Sequence, residues 1–112
     1  MGESEVPALS TLAATPAQRM LIRVCLDNGV PFFWRGPGTL LIAQPGLAGI
    51  LRDMTVSGAI VLGFEGFEIE STDLHPRLDL IFDASRRPDA NPAQVASDWP
   101  ADVWIDVAIR LP

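Results

Sequence analysis

The chain has 112 residues, of which 48% are hydrophobic and 20% are charged. This length suits one folded domain with a single core, and the composition excludes global disorder. The formal net charge is −6, and residues 64–112 carry all of it, because ten acidic residues there stand against four arginines. A negative field of this kind repels nucleic acid and favours a cationic partner, or it serves only to keep the protein soluble.

The cysteine count and the apolar runs predict a compartment. A single cysteine cannot form an internal disulfide, so we expect a reducing, cytoplasmic setting. No apolar run approaches the roughly 18–20 residues of a membrane-spanning helix. Residues 1–15 lack the basic flank and apolar run of a signal peptide, so we expect no export and a flexible tail there. The folded domain is predicted to span residues 16–112.

Helical spacing of apolar side chains begins directly after this tail. Thr15-Pro16 is typical of a helix N-cap followed by proline in the first turn, and Asn28-Gly29 is a stop signal. The sequence therefore predicts a helix over residues 16–28. Cys25 lies on its apolar stripe, where packing as a small hydrophobic side chain is the usual role.

A hairpin and a second helix follow along the chain. Residues 30–35 and 39–43 are apolar, β-prone runs, and the three-residue link between them contains two glycines, which predicts a hairpin. Pro45 then opens a helix whose apolar side chains recur at helical spacing. This second helix is predicted to end by Ser57-Gly58.

The stretch 58–70 is predicted to organise the sheet. Its first half, residues 60–62, is apolar enough for a buried strand, and its second half alternates between apolar and acidic residues. Gly63 and Gly66 stand between the two halves. Because glycine tolerates a bulge or a tight bend, we expect the chain to pass there from the core to an acidic surface.

The last third of the chain predicts a loop, two strands and a short helix. Residues 71–77, which include the only histidine, are expected to form a loop, and residues 77–83 a strand with its carboxylates outward. Asn91-Pro92 repeats the cap-plus-proline signal and starts a helix to about residue 99. The regular alternation over residues 103–111 predicts the final strand.

Together these elements predict an α+β fold in a single domain. We expect a mainly antiparallel sheet of five or six strands, with about three helices packed on one face. The strand order stays open at this point. The face of the sheet opposite the helices would carry the outward side chains of the predicted strands, namely Glu68, Glu70, Asp79, Asp83, Trp104 and Asp106.

Support for catalysis in the sequence is thin. His75 is the only histidine and precedes a proline, where an ordinary surface role is the more common one. Zinc-ligand spacing, a phosphate-binding loop and a nucleophile elbow are absent from the sequence. The acidic pairs leave open a small carboxylate- or metal-dependent enzyme, although solvated carboxylates lack the unlike environments that acid–base catalysis needs. We therefore predict a protein without catalytic residues, metal or cofactor.

The aromatic residues favour binding instead. Trp104 falls on the polar phase of the last strand, and tryptophan is enriched at binding hot spots. The alternative is that the tail or the last helix covers Trp104. An acidic rim around such an anchor fits a protein that blocks a basic partner. We therefore expect a protein partner and no nucleic acid or membrane partner, while the oligomeric state stays open. The predicted contacts are Glu65, Glu68, Glu70, Asp79, Asp83, Trp104 and Asp106.

Three segments carry a resemblance to a known group of proteins. They are Val61-Leu62-Gly63-Phe64-Glu65-Gly66-Phe67-Glu68, Pro76-Arg77-Leu78-Asp79-Leu80-Ile81-Phe82-Asp83 and Trp104-Ile105-Asp106-Val107. Over about residues 58–110 the chain resembles small immunity proteins of bacterial polymorphic-toxin systems. The resemblance implies a cytoplasmic, non-catalytic inhibitor of one cognate toxin. The negative charge of residues 64–112 favours a basic toxin, such as a nuclease. The other alternative is an accessory subunit of a larger assembly, with the hairpin over 30–43 as its interface.

Overall fold

The computed structural model describes residues 14–35 and 38–112, and within them three helices accompany one five-stranded sheet. The predicted α+β class is therefore confirmed. Of the predicted tail over 1–15, all but the last two residues lie outside the described residues. The elements in chain order are α1 (Pro16–Asn28), β1 (Phe32–Arg35), β2 (Thr39–Ala43), α2 (Gln44–Val56), β3 (Ile60–Glu70), β4 (Asp73–Asp83), α3 (Pro92–Ser97) and β5 (Trp104–Arg110).

The sheet is antiparallel throughout, in the order β1-β2-β5-β3-β4. The last strand of the sequence therefore lies at the centre, between the first hairpin and the second. This order places β3 and β5 side by side, with β4 and β1 at the two edges. None of the helices in the described ranges is long and apolar enough to cross a membrane.

The helix boundaries follow from the capping residues that the sequence displays. The Thr15 hydroxyl accepts a hydrogen bond from the backbone N–H of Gln18, whose side chain accepts one from the Thr15 N–H, each at 3.0 Å. Gly29 ends α1 in the left-handed region, with φ of 67°. Asn91 caps α3 through its side-chain oxygen, and that helix ends at Ser97, two residues before the predicted end.

The hydrophobic core lies between the helices and one face of the sheet. Cys25 of α1 is fully buried in it, as are side chains of α2 and of the central strands. Phe64 of β3 stacks on Phe82 and contacts Trp99, with ring centroids 4.9 and 5.0 Å apart. The strand residues of this core are Leu40, Ile42, Val61, Phe64, Leu80, Phe82, Ile105, Val107 and Ile109.

Strand β3 departs from the prediction in its first half. Val61 is buried, but Ile60 and Leu62 are 49% and 43% exposed, so the prediction of a fully buried segment was wrong. The strand alternates because only one face of the sheet is covered by helices. The expected irregularity at the glycines is present: the register shifts between Val61 and Gly63 against β5, and between Glu65 and Gly66 against β4.

The predicted loop over 71–77 was also wrong, because most of it belongs to β4. The connection between β3 and β4 is a tight turn, in which Ser71 has a positive φ of 58°. His75 and Pro76 lie in the strand, opposite Glu68 and Phe67. A proline is tolerated here because β4 is an edge strand, whose outward side needs no backbone donor.

The tip of the β3–β4 hairpin bends over the face of the sheet that the helices leave uncovered. Arg35 of β1 donates a hydrogen bond from Nη1 to the carbonyl oxygen of Thr72, at 2.8 Å. In a flat sheet β1 and β3 would stand roughly 14 Å apart, since neighbouring strands are spaced by about 4.8 Å. Leu41 faces away from the core residues Leu40 and Ile42 and is nevertheless fully buried, as a cover on this face requires.

Candidate protein-binding face

The face of the sheet turned away from the helices, called the open face below, is where several predicted contacts meet. Glu65 of β3 lies directly opposite Asp106 of β5 on one side and Ile81 of β4 on the other. Two residues further along the strands, Gly63 lies opposite Ala108 and Asp83. These pairs place acidic and aliphatic side chains together.

The open face contains a shallow groove of about 250 Å³, called the open-face groove below. Two of its walls are aliphatic side chains that remain accessible to solvent, with Ile81 55% exposed and Leu62 43% exposed. Its lining residues are Leu62, Gly63, Phe64, Glu65, Ile81, Phe82, Asp83, Asp106 and Ala108. The groove thus combines apolar walls with three of the seven predicted contacts.

Glu65 and Asp106 form a pair of like charges, and no ion pair to a cation is found for either of them among the described residues. The ion pairs found there join arginine or histidine to other acids, including Asp83 of the groove, which lies 3.8 Å from Nε of Arg86. Partial burial raises the pKa of Asp106 to about 6, and the charge of Glu65 adds to the increase. Above that pH the groove therefore holds a carboxylate whose ionisation is unfavourable in the folded state.

Trp104 lies on the open face, as predicted, at the end nearest the hairpin tip. It is half-buried, opposite Ala43 of β2 and Phe67 of β3. Its ring meets that of Phe33 edge-on, with centroids 6.4 Å apart and an interplanar angle of 89°. An aromatic cluster thus borders the acidic groove.

Glu68, Glu70 and Asp79 do not join this groove. Because Phe67 lies opposite Trp104, Glu68 and Glu70 point to the other side of the hairpin. Glu68 binds Arg77 at 2.7 Å, and Glu70 lies 3.4 Å from His75. The structure thus divides the predicted contact set between the open face and the outer side of the hairpin.

Arg77 organises the outer side of the hairpin. Its Nε and Nη2 donate to the two carboxylate oxygens of Asp79, at 3.0 and 2.8 Å, and these bonds lower the pKa of Asp79. The register passes directly from Arg77, opposite Gly66, to Ile81, opposite Glu65. Asp79 lies in the bulge between them, so the arginine joins the bulge to the hairpin.

Asp83 lines the groove but has a structural role as well. Its Oδ1 accepts hydrogen bonds from the backbone N–H and the hydroxyl of Ser85, at 2.9 and 2.7 Å. These bonds lower the pKa of Asp83 and fix the turn that follows β4. Its carboxylate is therefore ionised at the mouth of the groove over the whole neutral range.

Other candidate reactive groups are separate from the open face. Burial raises the pKa of the Cys25 thiol to about 11, so this side chain is neither ionised nor accessible at neutral pH. Within residues 14–35 and 38–112, no three histidine, cysteine or acidic side chains are placed to hold a metal ion. A larger cavity of about 550 Å³ lies between α2 and the start of α3, and it contains none of the predicted contacts.

Two aliphatic residues that line the groove, Ile81 and Leu62, are not among the predicted contacts, and the sequence indicates only the first. Ile81 shares the outward phase of its strand with Asp79 and Asp83, which marks an exposed aliphatic residue among acids. Leu62 carried no such signal, because an apolar run around it is also typical of a buried strand. The sequence therefore indicates one of the two aliphatic walls, Ile81, but not the other, Leu62.

No protein-family model, curated protein or solved structure matches the chain. The resemblance to immunity proteins therefore stays a prediction. The geometry and charge of the open face are the features that bear on its function.

Proposed function

We propose that the protein is a non-catalytic inhibitor that binds one basic partner protein through its open face. The observation that carries this proposal is the open-face groove, where the exposed Ile81 and Leu62 adjoin the paired acids Glu65 and Asp106. Protein interfaces commonly place an apolar centre inside a polar rim. The resemblance to immunity proteins supports a cognate toxin, such as a nuclease, as the partner, in the cytoplasm of a bacterium.

The predicted contacts divide into two roles under this proposal. The partner contacts the acids of the groove, Glu65, Asp83 and Asp106, directly. Trp104 is an aromatic anchor at one end of this surface. Glu68, Glu70 and Asp79 lie on the outer side of the hairpin, where they add to the negative field that steers a basic partner. We expect association to slow as the salt concentration rises.

Co-expression tests the proposal directly. The polypeptide encoded next to this gene is expressed alone, with this protein, and with its Ile81→Arg variant, which places a cation in the groove wall. We expect growth arrest that the wild type relieves and that Ile81→Arg no longer relieves. The matched control is Val56→Arg on α2, where the side chain is 89% exposed and remote from the open face.

Two outcomes of the co-expression experiment would contradict parts of this proposal. Absence of both toxicity and a complex would contradict the inhibitor function. Rescue by Ile81→Arg that equals rescue by Val56→Arg would retain an inhibitor but remove the open face as its binding surface. Circular dichroism of both purified variants checks that each is folded.

A second function is favoured by one observation. Glu65 and Asp106 share a groove, and Asp106 has the raised pKa that a general acid requires. A small carboxylate enzyme that uses Mg²⁺ or Ca²⁺ would show a higher melting temperature with the cation and lose that increase in Asp106→Asn. A melting temperature that neither cation changes would count against the metal-dependent form of this alternative.

A further inference from the structure

The open-face groove is small and shallow. Its volume of about 250 Å³ falls below the roughly 300–1,000 Å³ of pockets that enclose drug-sized ligands. The walls formed by Leu62 and Ile81 are aliphatic, and Glu65, Asp83 and Asp106 also line the groove. A long side chain with an apolar stem and a charged head fits this combination, because its stem packs on aliphatic walls while its head reaches polar groups.

Among the described residues, no ion pair joins a cation to Glu65 or Asp106. On β3 the facing group is Glu65. On β4 it is Asp83, whose Oδ1 binds Ser85 and whose Oδ2 lies 3.8 Å from Nε of Arg86, so that cation is paired with Asp83. Strand β2, which flanks the other side of β5, contains no charged residue. Arg35 of β1 uses its Nη1 to bind the hairpin tip, and Arg110 lies at the far end of β5, opposite Ile60.

Two like charges directly opposite each other on neighbouring strands destabilise a sheet. Glu65 and Asp106 are such a pair, at the centre of the sheet rather than at a frayed edge. A cation from a second molecule would remove this repulsion. It would gain more than at an isolated surface carboxylate, because two acids contribute and one of them is half-buried.

We infer, on the basis of the proposed function, that the open-face groove receives one arginine side chain of the partner protein between Glu65 and Asp106. Arginine fits better than lysine because its planar guanidinium can donate to two carboxylates at once. It is also more weakly hydrated than an ammonium group and packs readily on apolar walls. A lysine would instead place a compact, strongly hydrated charge between the two carboxylates.

A dependence of binding on pH follows from this occupant. In the free protein the pKa of Asp106 is about 6, and a bound guanidinium would lower it by favouring the ionised form. Binding near pH 6 therefore releases about half a proton, and binding near pH 8 releases almost none. The affinity should decrease as the pH falls below 6, by up to about tenfold per pH unit.

Calorimetry with the neighbour-encoded polypeptide tests this inference. Titrations at pH 6 and pH 8, each in two buffers with different ionisation enthalpies, measure the protons released on binding. We expect release at pH 6 only, and we expect Asp106→Asn to abolish it and to weaken binding at pH 8 at least tenfold. The control is Asp27→Asn, which removes an equal charge from an exposed position on α1.

The outcomes separate this inference from the proposed function. No complex with the wild type contradicts both. A complex that releases no proton and that Asp106→Asn leaves unchanged contradicts the arginine in the groove but retains the inhibitor. Arg→Lys substitutions in the partner identify the inserted residue, and a complex that depends on a native lysine instead would overturn the choice of arginine.

Discussion

The two faces of the sheet are built from the same strands but follow different physical rules. On the helix-covered face, Phe64 and Val107 are neighbours in the core, and both are less than one tenth exposed. One residue further along each strand pair, on the open face, Glu65 lies opposite Asp106, and among the described residues neither acid forms an ion pair with a cation. The covered face thus contributes stability, while the open face retains groups that cost stability and are suited to binding.

The largest expected difference between the faces comes from truncating an isoleucine on each. Ile105 is fully buried and Ile81 is 55% exposed. We expect Ile105→Ala to lower the free energy of unfolding by about 2–5 kcal/mol, because it leaves a cavity in the core. The matched change Ile81→Ala should cost less than about 0.5 kcal/mol. Urea denaturation measures both, and equal losses would contradict the division into a covered and an open face.

A glycine at the edge of the groove should be the next most sensitive position. A Cβ atom at Gly63 would lie 2.5 Å from the backbone carbonyl oxygen of Phe82. We expect Gly63→Ala to force β3 and β4 apart and to cost about 2 kcal/mol. The control is Gly49→Ala in α2, where the added atom meets open space and should stabilise the helix by about 0.5–1 kcal/mol. A harmless Gly63→Ala would show that this strand pair is not closely packed.

The acidic pair of Glu65 and Asp106 should lower the stability of the protein in a way that depends on pH. The pKa of Asp106 is raised in the folded state. Between about pH 4 and pH 6 the folded protein therefore binds more protons than the unfolded chain. The free energy of unfolding consequently falls as the pH rises through that range. We expect Asp106→Asn to stabilise the protein at pH 7.5 by on the order of 1–2 kcal/mol, and this gain should vanish below about pH 4.

Asp83→Asn provides a control of opposite sign for that measurement. The hydrogen bonds from Ser85 lower the pKa of Asp83, so this carboxylate stabilises the fold above its unfolded pKa. Its loss should therefore destabilise the protein at pH 7.5 and have less effect in acid. Thermal melts across the pH range test both variants, and a destabilised Asp106→Asn would refute the cost assigned to the open face.

The smallest expected effect concerns the bend of the hairpin over the open face. Arg35→Ala removes the hydrogen bond to the Thr72 carbonyl, which should lower the free energy of unfolding by at most about 1 kcal/mol. The clearer readout is amide hydrogen exchange, which should become faster in residues 67–76 and stay unchanged in α1. Arg23→Ala, at an exposed position on α1, is the matched control. Unchanged exchange in the hairpin would mean that other contacts hold the bend.

The covered face was largely predictable from the sequence. Helix starts are marked by the capping residues Thr15 and Asn91, each followed by a proline. The capping hydrogen bonds are local and do not depend on the rest of the fold. The outward positions of Trp104 and Asp106 were equally visible, because β5 keeps an uninterrupted period of two. Such patterns are encoded within a few neighbouring residues.

The open face was predicted only in part, because its geometry depends on bulges. A bulge changes which side of a sheet the following residues face, and the glycines of β3 indicate that a bulge is possible but not how it is formed. Glu68 and Glu70 were assigned to the wrong side for this reason. The contact between Arg35 and Thr72 joins residues 37 positions apart, which no local pattern predicts.

Amide hydrogen exchange of the complex would locate the binding surface on the sheet or on the helices. The protein is labelled alone and with the neighbour-encoded polypeptide, and amide protection is compared along the chain. We expect added protection on β3, β4 and β5 around Glu65, Ile81 and Asp106, and none on the exposed surface of α1 and α2. Added protection confined to the helices would contradict the assignment of the open face as the binding surface.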